Sequence, residues 1–226
     1  MAQTSDEFAT RLQKLDCCAV SDAMDKLGLK GSVSGLTQQS TTRRIAGRIV
    51  TYKLVPKDQA PPPSTPPRHL GTTAVEAAQP GDIIVVEQRT GIDAGSWGGI
   101  LSLGAKVRQV AGVIADGPVR DIDEARAYDF PIYCRTLTAR TARGRVAEAF
   151  TNEPVTIGDV TAHPGDYAIA DASGVVIIAA ADIERLLETA EMIAKREALM
   201  ANALRAGKPI SQVMGADYEH MLGKGS

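Results

Sequence analysis

The sequence predicts an α/β fold: a single domain over residues 1–226, built on parallel strands and finished by a long C-terminal helix. Three observations carry that prediction. From Gly81 onward, β-branched runs alternate with helical ones, the rhythm of βαβ units with right-handed crossovers. After Val146 the pattern changes to short strands with tight turns, EPVTIGDVTAHPGDYAIADASGVVIIA. Residues 181–207 then carry an apolar stripe at helical spacing.

Taken in order, residues 1–30 hold N-terminal helical sequence. Within them 5–29 reads as helix, with Ser21 capping SDAMDKLG and Gly28 stopping it. IAGRIVTYKLV, from Ile45, is apolar and β-branched enough for a strand. Residues 55–69, VPKDQAPPPSTPPRH, are dense in proline, which lacks an amide donor and fixes φ, so they predict an extended loop. DIIVVEQ is a buried strand, RTGIDAGSWGG a glycine-rich turn and ILSLGAKVRQV a helix. AGVIAD makes a second strand, GPVRD a tight turn, IDEARAYD a short helix and FPIYCRTLT a further strand. The terminal helix, 181–207, ends at Gly207.

Charge and composition remove several functions. Twenty-five basic against 27 acidic residues give a net charge of −2, without the basic footprint of a nucleic-acid binder or a membrane anchor. The start, MAQTSDEFATRLQK, is polar and acidic, unlike a signal peptide. The most apolar stretch, GVVIIAAADI, falls short of the ~20 residues that a membrane span needs. Three cysteines give no disulfide framework, and Cys17 and Cys18 read as small buried residues. The expectation is a soluble, cytoplasmic protein.

Three places could carry chemistry. The turn from Gly91 leads into a helix whose first amides are free for an anion, and Gly98 and Gly99 would let that anion approach the backbone. A plain turn that needs glycine reads equally well there. Arg120 and Asp121 follow a strand end, where α/β sheets place ligands. The guanidinium can grip a carboxylate, and the aspartate can hold Mg²⁺, which needs few protein ligands. On its own chemistry the pair also reads as a surface ion pair. Glu197 falls within the apolar stripe of the last helix, so it requires a partner, a shifted pKa or a wet pocket. His69, His163 and His220 have no ligand spacing, Trp97 reads as packing, and no P-loop or G-x-S-x-G is present. A dinucleotide site is the rival reading, but Gly95, Gly98 and Gly99 do not fit G-x-G-x-x-G.

WGGILSLGAKVRQVAGVIADGPVRD is similar to the signature of the 4-hydroxy-4-methyl-2-oxoglutarate aldolase family, which includes the regulator of ribonuclease E activity protein A. AVSDAMDKLGL, AGRIVTYKL, HPGDYAIADASGVVIIA and AKREALMANALRAG resemble its other segments in order, over most of the chain. The resemblance implies a β/β/α swivelling-type sandwich, a homotrimer or hexamer with sites between subunits, and a metal-dependent pyruvate aldolase that also decarboxylates oxaloacetate. By position, the amides of Gly98, Gly99, Ile100 and Leu101 would bind the substrate carboxylate together with Arg120. Asp121 would hold Mg²⁺ or Mn²⁺, and Glu197 would reach a neighbouring subunit's site. It also implies a non-catalytic, protein-binding trimer as the alternative. One departure stands out: the family's aldolases carry an acid twenty-one positions before the arginine, and this chain has Gly99. Asp93 and Asp116 are the candidates to compensate for that loss of support to the metal's water shell.

Overall fold

The computed structural model describes residues 6–62 and 68–214. The centre of the proline-rich stretch, both chain ends and His220 lie outside the described residues.

The predicted N-terminal helix is two helices, α1 (Glu7–Leu12) and α2 (Cys17–Leu27). Asp16 is the reason for the break, since its carboxylate accepts from the Ala19 amide at 2.8 Å and caps α2. Ser21, expected as the cap, lies inside α2 and shares a hydrogen bond with the Ser32 hydroxyl at 2.8 Å. Gly28 closes α2 at φ +67°, as predicted. Cys17 is buried, but Cys18 is exposed, because successive helical positions face different sides.

Two two-residue strands unseen in the sequence come next, β1 (Ser32–Val33) and β2 (Thr37–Gln38). β3 (Ile45–Pro56) runs into a 3-10 turn at Lys57–Gln59, and α3 (Thr72–Ala77) follows the proline-rich stretch. The βαβ region is β4 (Ile83–Glu87), α4 (Gly99–Val107), β5 (Gly112–Val119), α5 (Ile122–Ala127) and β6 (Ile132–Leu137). β5 overrides the predicted GPVRD turn: Gly117, Pro118 and Val119 continue the strand, and only Arg120 and Asp121 leave it. Pairing with β6 decides this, resuming at Pro118↔Thr136 after an irregularity that follows Ala115. The described residues continue through β7 (Val146–Thr151), β8 (Val155–Ile157), β9 (Val160–Ala162), β10 (Tyr167–Asp171), β11 (Gly174–Ile178), α6 (Ile183–Arg205) and α7 (Ile210–Val213). At the end of α6 the Lys208 amide bonds the Ala203 carbonyl and the Gly207 amide bonds that of Leu204. This Schellman closure has Gly207 at φ +87°.

β3, β4, β5 and β6 pair in parallel, as predicted, within a sheet ordered β1-β11-β10-β3-β4-β5-β6-β2, with β7 antiparallel on β3. Residue alternation sets its layers. Tyr52, Leu54, Ile84, Val86 and Val113 face α3, α4 and α5. Their neighbours Ile49, Ile83, Val85 and Ile114 face the opposite side, with Val155, Ile157 and Ala162 of the β8–β9 hairpin. On β10 and β11, Ile169, Val176 and Ile178 join the core under α1, α2 and α6, while Ala168, Ala170, Val175 and Ile177 turn to the hairpin side. Ala46 and Val50 share one face of β3, so both helix groups cover the same side of the sheet. The layers are hairpin, sheet, helices: the β/β/α order expected. Each fully buried aliphatic side chain contributes about 1.5–3 kcal/mol to holding them together. No helix among the described residues is long and apolar enough to cross a membrane.

Candidate active site at the start of α4

The glycine turn and the strand end of β5 meet because of local bonds between their backbones. The Gly95 amide donates to the Arg140 carbonyl at 2.9 Å, the Ser96 amide to Pro118 at 2.8 Å, and the Arg120 amide to Trp97 at 3.1 Å. Trp97 anchors the turn from below, stacked on Phe130 at 6.4 Å between ring centroids, with its indole N–H donating to Ser102 at 2.9 Å. The Tyr52 hydroxyl donates to the Ser96 carbonyl at 2.5 Å. Burial, and then the Glu148 carboxylate, push that phenol well above its usual range, so it stays a donor. Trp97 is the packing residue expected.

Three glycines of the turn each lie under a side chain from the β5–α5 junction. A Cβ on Gly95 would meet the Arg120 stem at 2.9 Å, and one on Gly98 would meet Asp121 Oδ2 at 2.8 Å. A Cβ on Gly99 would come within 1.6 Å of Glu124 Oε2. None of the three adopts a positive φ, so what distinguishes these positions is the close approach of these side chains, of which the exposed Glu124 carboxylate can swing aside. Asp121 itself does, at φ +57° and ψ +40°, a left-handed conformation that aspartate tolerates better than most residues. The carboxylate then faces back across the turn, accepting from the Gly99 amide at 3.1 Å and from Arg120 Nε at 3.1 Å.

Two sets of donors remain uncommitted. Gly98, the N-cap of α4, has no side chain to offer, and the Ile100 and Leu101 amides bond to no described residue. Arg120 uses Nε on Asp121, which leaves both Nη groups without a partner among the described residues. Both sets border one cleft of about 240 Å³, lined by Gly98, Gly99, Ile100, Leu101, Arg120 and Asp121 together with His69, Leu70 and Arg143. The cleft thus brings a guanidinium, the free amides of a helix N-terminus and a carboxylate to one point, with donors of the kind that bind anions.

The fold gathers the predicted residues except Glu197. That residue sits half-buried on α6, where burial and then Asp16, the cap of α2, and Asp22 within α2 raise its pKa; it does not line its own chain's cleft. Neither candidate for the missing acid stands beside Asp121. Asp93 pairs with Arg140 at 3.2 Å, and Asp116 is buried against Arg135 at 2.9 Å and the Gly158 amide at 2.7 Å. Glu124, unforeseen in the sequence, lies where a side chain at position 99 would begin. Its spacing was the available signal, because the third residue after Asp121 returns to the same helix face in IDEARAYD.

Residues 17–177 match a family model described as RraA-like, Aldolase/RraA. Protein DlpA of Legionella pneumophila is 26% identical over 211 residues, 92% of this chain but 34% of DlpA, so the chain spans about a third of that relative. A Halalkalibacterium halodurans protein, provisionally named 4-hydroxy-4-methyl-2-oxoglutarate aldolase, is 28% identical over 191 residues, 84% of this chain and 85% of that protein. The crystal structure of Streptomyces coelicolor RraAS2, an unusual member of the RNase ES inhibitor RraA protein family, has a TM-score of 0.76. Its 23% identity, with coverage of 88% of this chain and 98% of that one, makes the likeness one of fold.

Proposed function

Because the chain belongs to the RraA-like, Aldolase/RraA family, we propose that it is a class II lyase, dependent on Mg²⁺ or Mn²⁺. It cleaves a 2-oxo acid by retro-aldol reaction or decarboxylation through a pyruvate enolate. The observation that carries this reading is the convergence of Arg120 Nη, the free amides of Ile100 and Leu101 and the Asp121 carboxylate on one cleft.

The residues present suit a hard divalent cation. Asp121 and Glu124 put carboxylates against Gly98 and Gly99, in a cradle that a Cβ at either position would fill. No group of three or more His, Cys, Asp or Glu gathers among the described residues. Asp121 would therefore hold the ion with few protein ligands and several waters, supported by Glu124. When bound, the cation supplies Lewis-acid stabilisation of the charge that develops on the 2-oxo oxygen. The chain's own groups do the remainder. Arg120 and the α4 amides bind and orient the substrate carboxylate, and the Arg120 charge stabilises the developing enolate. Aldol cleavage also needs a base for the 4-hydroxyl proton, which Glu197 of a neighbouring subunit would provide through water in a homotrimer or hexamer. Decarboxylation of oxaloacetate reaches the same enolate without that base, so one site would perform both reactions in the cytoplasm.

A coupled assay for pyruvate release tests the reading. Chelator-sensitive release from oxaloacetate and from a 4-hydroxy-2-oxo acid is expected, and no release from either overturns it. A second reading, a non-catalytic trimer that binds a protein, draws on one observation: α4 exposes an apolar stripe of Ile100 (79%), Leu103 (40%) and Val107 (73%). The same assay separates the two.

A further inference from the structure

Breaking the C3–C4 bond leaves a pyruvate enolate, whose C3 must gain a proton before pyruvate can leave. Four ionisable side chains line the cleft of about 240 Å³: His69, Arg120, Asp121 and Arg143. An arginine keeps its proton at ordinary pH, and Asp121 is the carboxylate given to the cation. His69 remains. Histidine is the side chain that ordinarily both holds and releases a proton near neutral pH.

The segment that carries His69 packs against the start of α4. A Cβ on Gly71, two residues on, would meet Leu101 Cδ1 at 3.1 Å and the Tyr52 hydroxyl at 3.4 Å. Gly71 sits at φ +77°, with its amide donating to Glu148 at 2.6 Å. The His69 carbonyl accepts from the Thr72 hydroxyl at 2.6 Å and from the Thr72 amide at 3.2 Å. These bonds tie the backbone at His69 to α3 and, through Glu148, to β7. The imidazole itself is exposed, so water can replace its proton. Its Nδ1 lies 3.0 Å from the Leu70 carbonyl oxygen, which can only accept. Nδ1 therefore carries the hydrogen, and Nε2 is the nitrogen that gains and loses a proton.

We infer that His69 is the catalytic acid that protonates C3 of the enolate, within its own chain's cleft. The enolate's electron pair forms the new C3–H bond as the C2 carbonyl re-forms. The Nε2–H bond of the imidazolium breaks, neutral imidazole is left, and a proton from water restores it. In decarboxylation the substrate thus loses CO₂ and gains a proton. In aldol cleavage the proton taken from the 4-hydroxyl balances the one delivered to C3. The inference rests on the lyase reading and adds the group that completes its product, while the 4-hydroxyl proton stays with Glu197 of a neighbouring subunit.

By microscopic reversibility the neutral imidazole removes a proton from C3 of bound pyruvate, so pyruvate in D₂O reads the step directly. With the full chain and Mg²⁺, proton NMR should show the methyl signal disappearing as deuterium replaces hydrogen. His69→Gln should slow this exchange by about 10²-fold, the lower end of what a positioned acid or base contributes. Pyruvate affinity, measured by calorimetry, should stay within about twofold, whereas a residue that only shapes the cleft would lower affinity and rate together. Exchange by His69→Gln within about twofold of the unmodified chain overturns the inference, as does a loss of affinity that matches the loss of rate. Pyruvate bound without exchange in the unmodified chain overturns it too, and leaves the lyase reading to the release assay. If the unmodified chain neither binds pyruvate nor releases it from oxaloacetate, the lyase reading falls and the inference with it.

Discussion

Asp121 shows how one residue can serve backbone and chemistry together. Its left-handed conformation turns the carboxylate onto the start of α4, where it accepts from the Gly99 amide and from Arg120. Asp121→Asn keeps a residue that tolerates this conformation and removes only the charge. Titration with Mn²⁺ should show affinity falling by more than the ~10- to 100-fold typical of outer-shell losses, with the circular dichroism spectrum unchanged. Equal affinity would remove the metal assignment. Arg120→Lys keeps the charge but loses the planar pair of Nη donors. It should cost about 2–4 kcal/mol of transition-state stabilisation, the scale of a deleted oxyanion donor. Turnover within about twofold of the unmodified chain would make Arg120 structural. Position 99 behaves differently from what sequence alone suggests. Restoring an acid there looks beneficial until Glu124 is seen 1.6 Å from the new Cβ. Gly99→Asp should therefore weaken Mn²⁺ binding in the unmodified chain and strengthen it in a Glu124→Ala background. The same sign in both backgrounds would show that the two positions do not share one space.

At the scale of elements, the packing of α2 against α6 concentrates negative charge. Burial, and then Asp16 and Asp22, raise the Glu197 pKa, so the folded state disfavours its ionised form. A raised carboxylate pKa makes the cost fully present above the folded value. The cost disappears as pH falls through that value to below the usual carboxylate range, about 4.3. Glu197→Gln should therefore raise the melting temperature near pH 7, by about 1–2 °C for a partly exposed group, and the gain should vanish near pH 4. If Glu197 also serves a neighbouring subunit, aldol cleavage falls in the same variant while oxaloacetate decarboxylation survives. A melting temperature insensitive to this change at both pH values would contradict the repulsion.

At the scale of the whole molecule, the junction between the parallel and antiparallel halves of the sheet depends on Gly47 in β3. It pairs with Ala168 of β10, and a Cβ there would come within 2.2 Å of the Gly81 carbonyl ahead of β4. Gly47→Ala forces backbone apart in a packed sheet and should destabilise by about 1–3 kcal/mol, visible as a lower thermal midpoint. An unchanged midpoint would mean that the junction relaxes freely. The elements around this junction were largely legible in advance. DIIVVEQ, ILSLGAKVRQV and the 181–207 stripe declare themselves by residue period, and Gly28 and Gly207 end their helices by backbone chemistry alone. These are local signals, carried by neighbours in the chain. Whatever depends on a distant partner was not legible. Pairing with β6 made strand of Gly117–Val119, and pairing with β11 and β6 created the two-residue strands β1 and β2. Sequence placed Arg120, Asp121 and the glycine pair in one motif, but only the folded contact between α4 and α5 put Glu124 over Gly99. The sequence by itself determined the periods, the caps and the chemical groups of the site. The tertiary structure decided which of those groups face each other, because that depends on cross-element packing and no residue period encodes it.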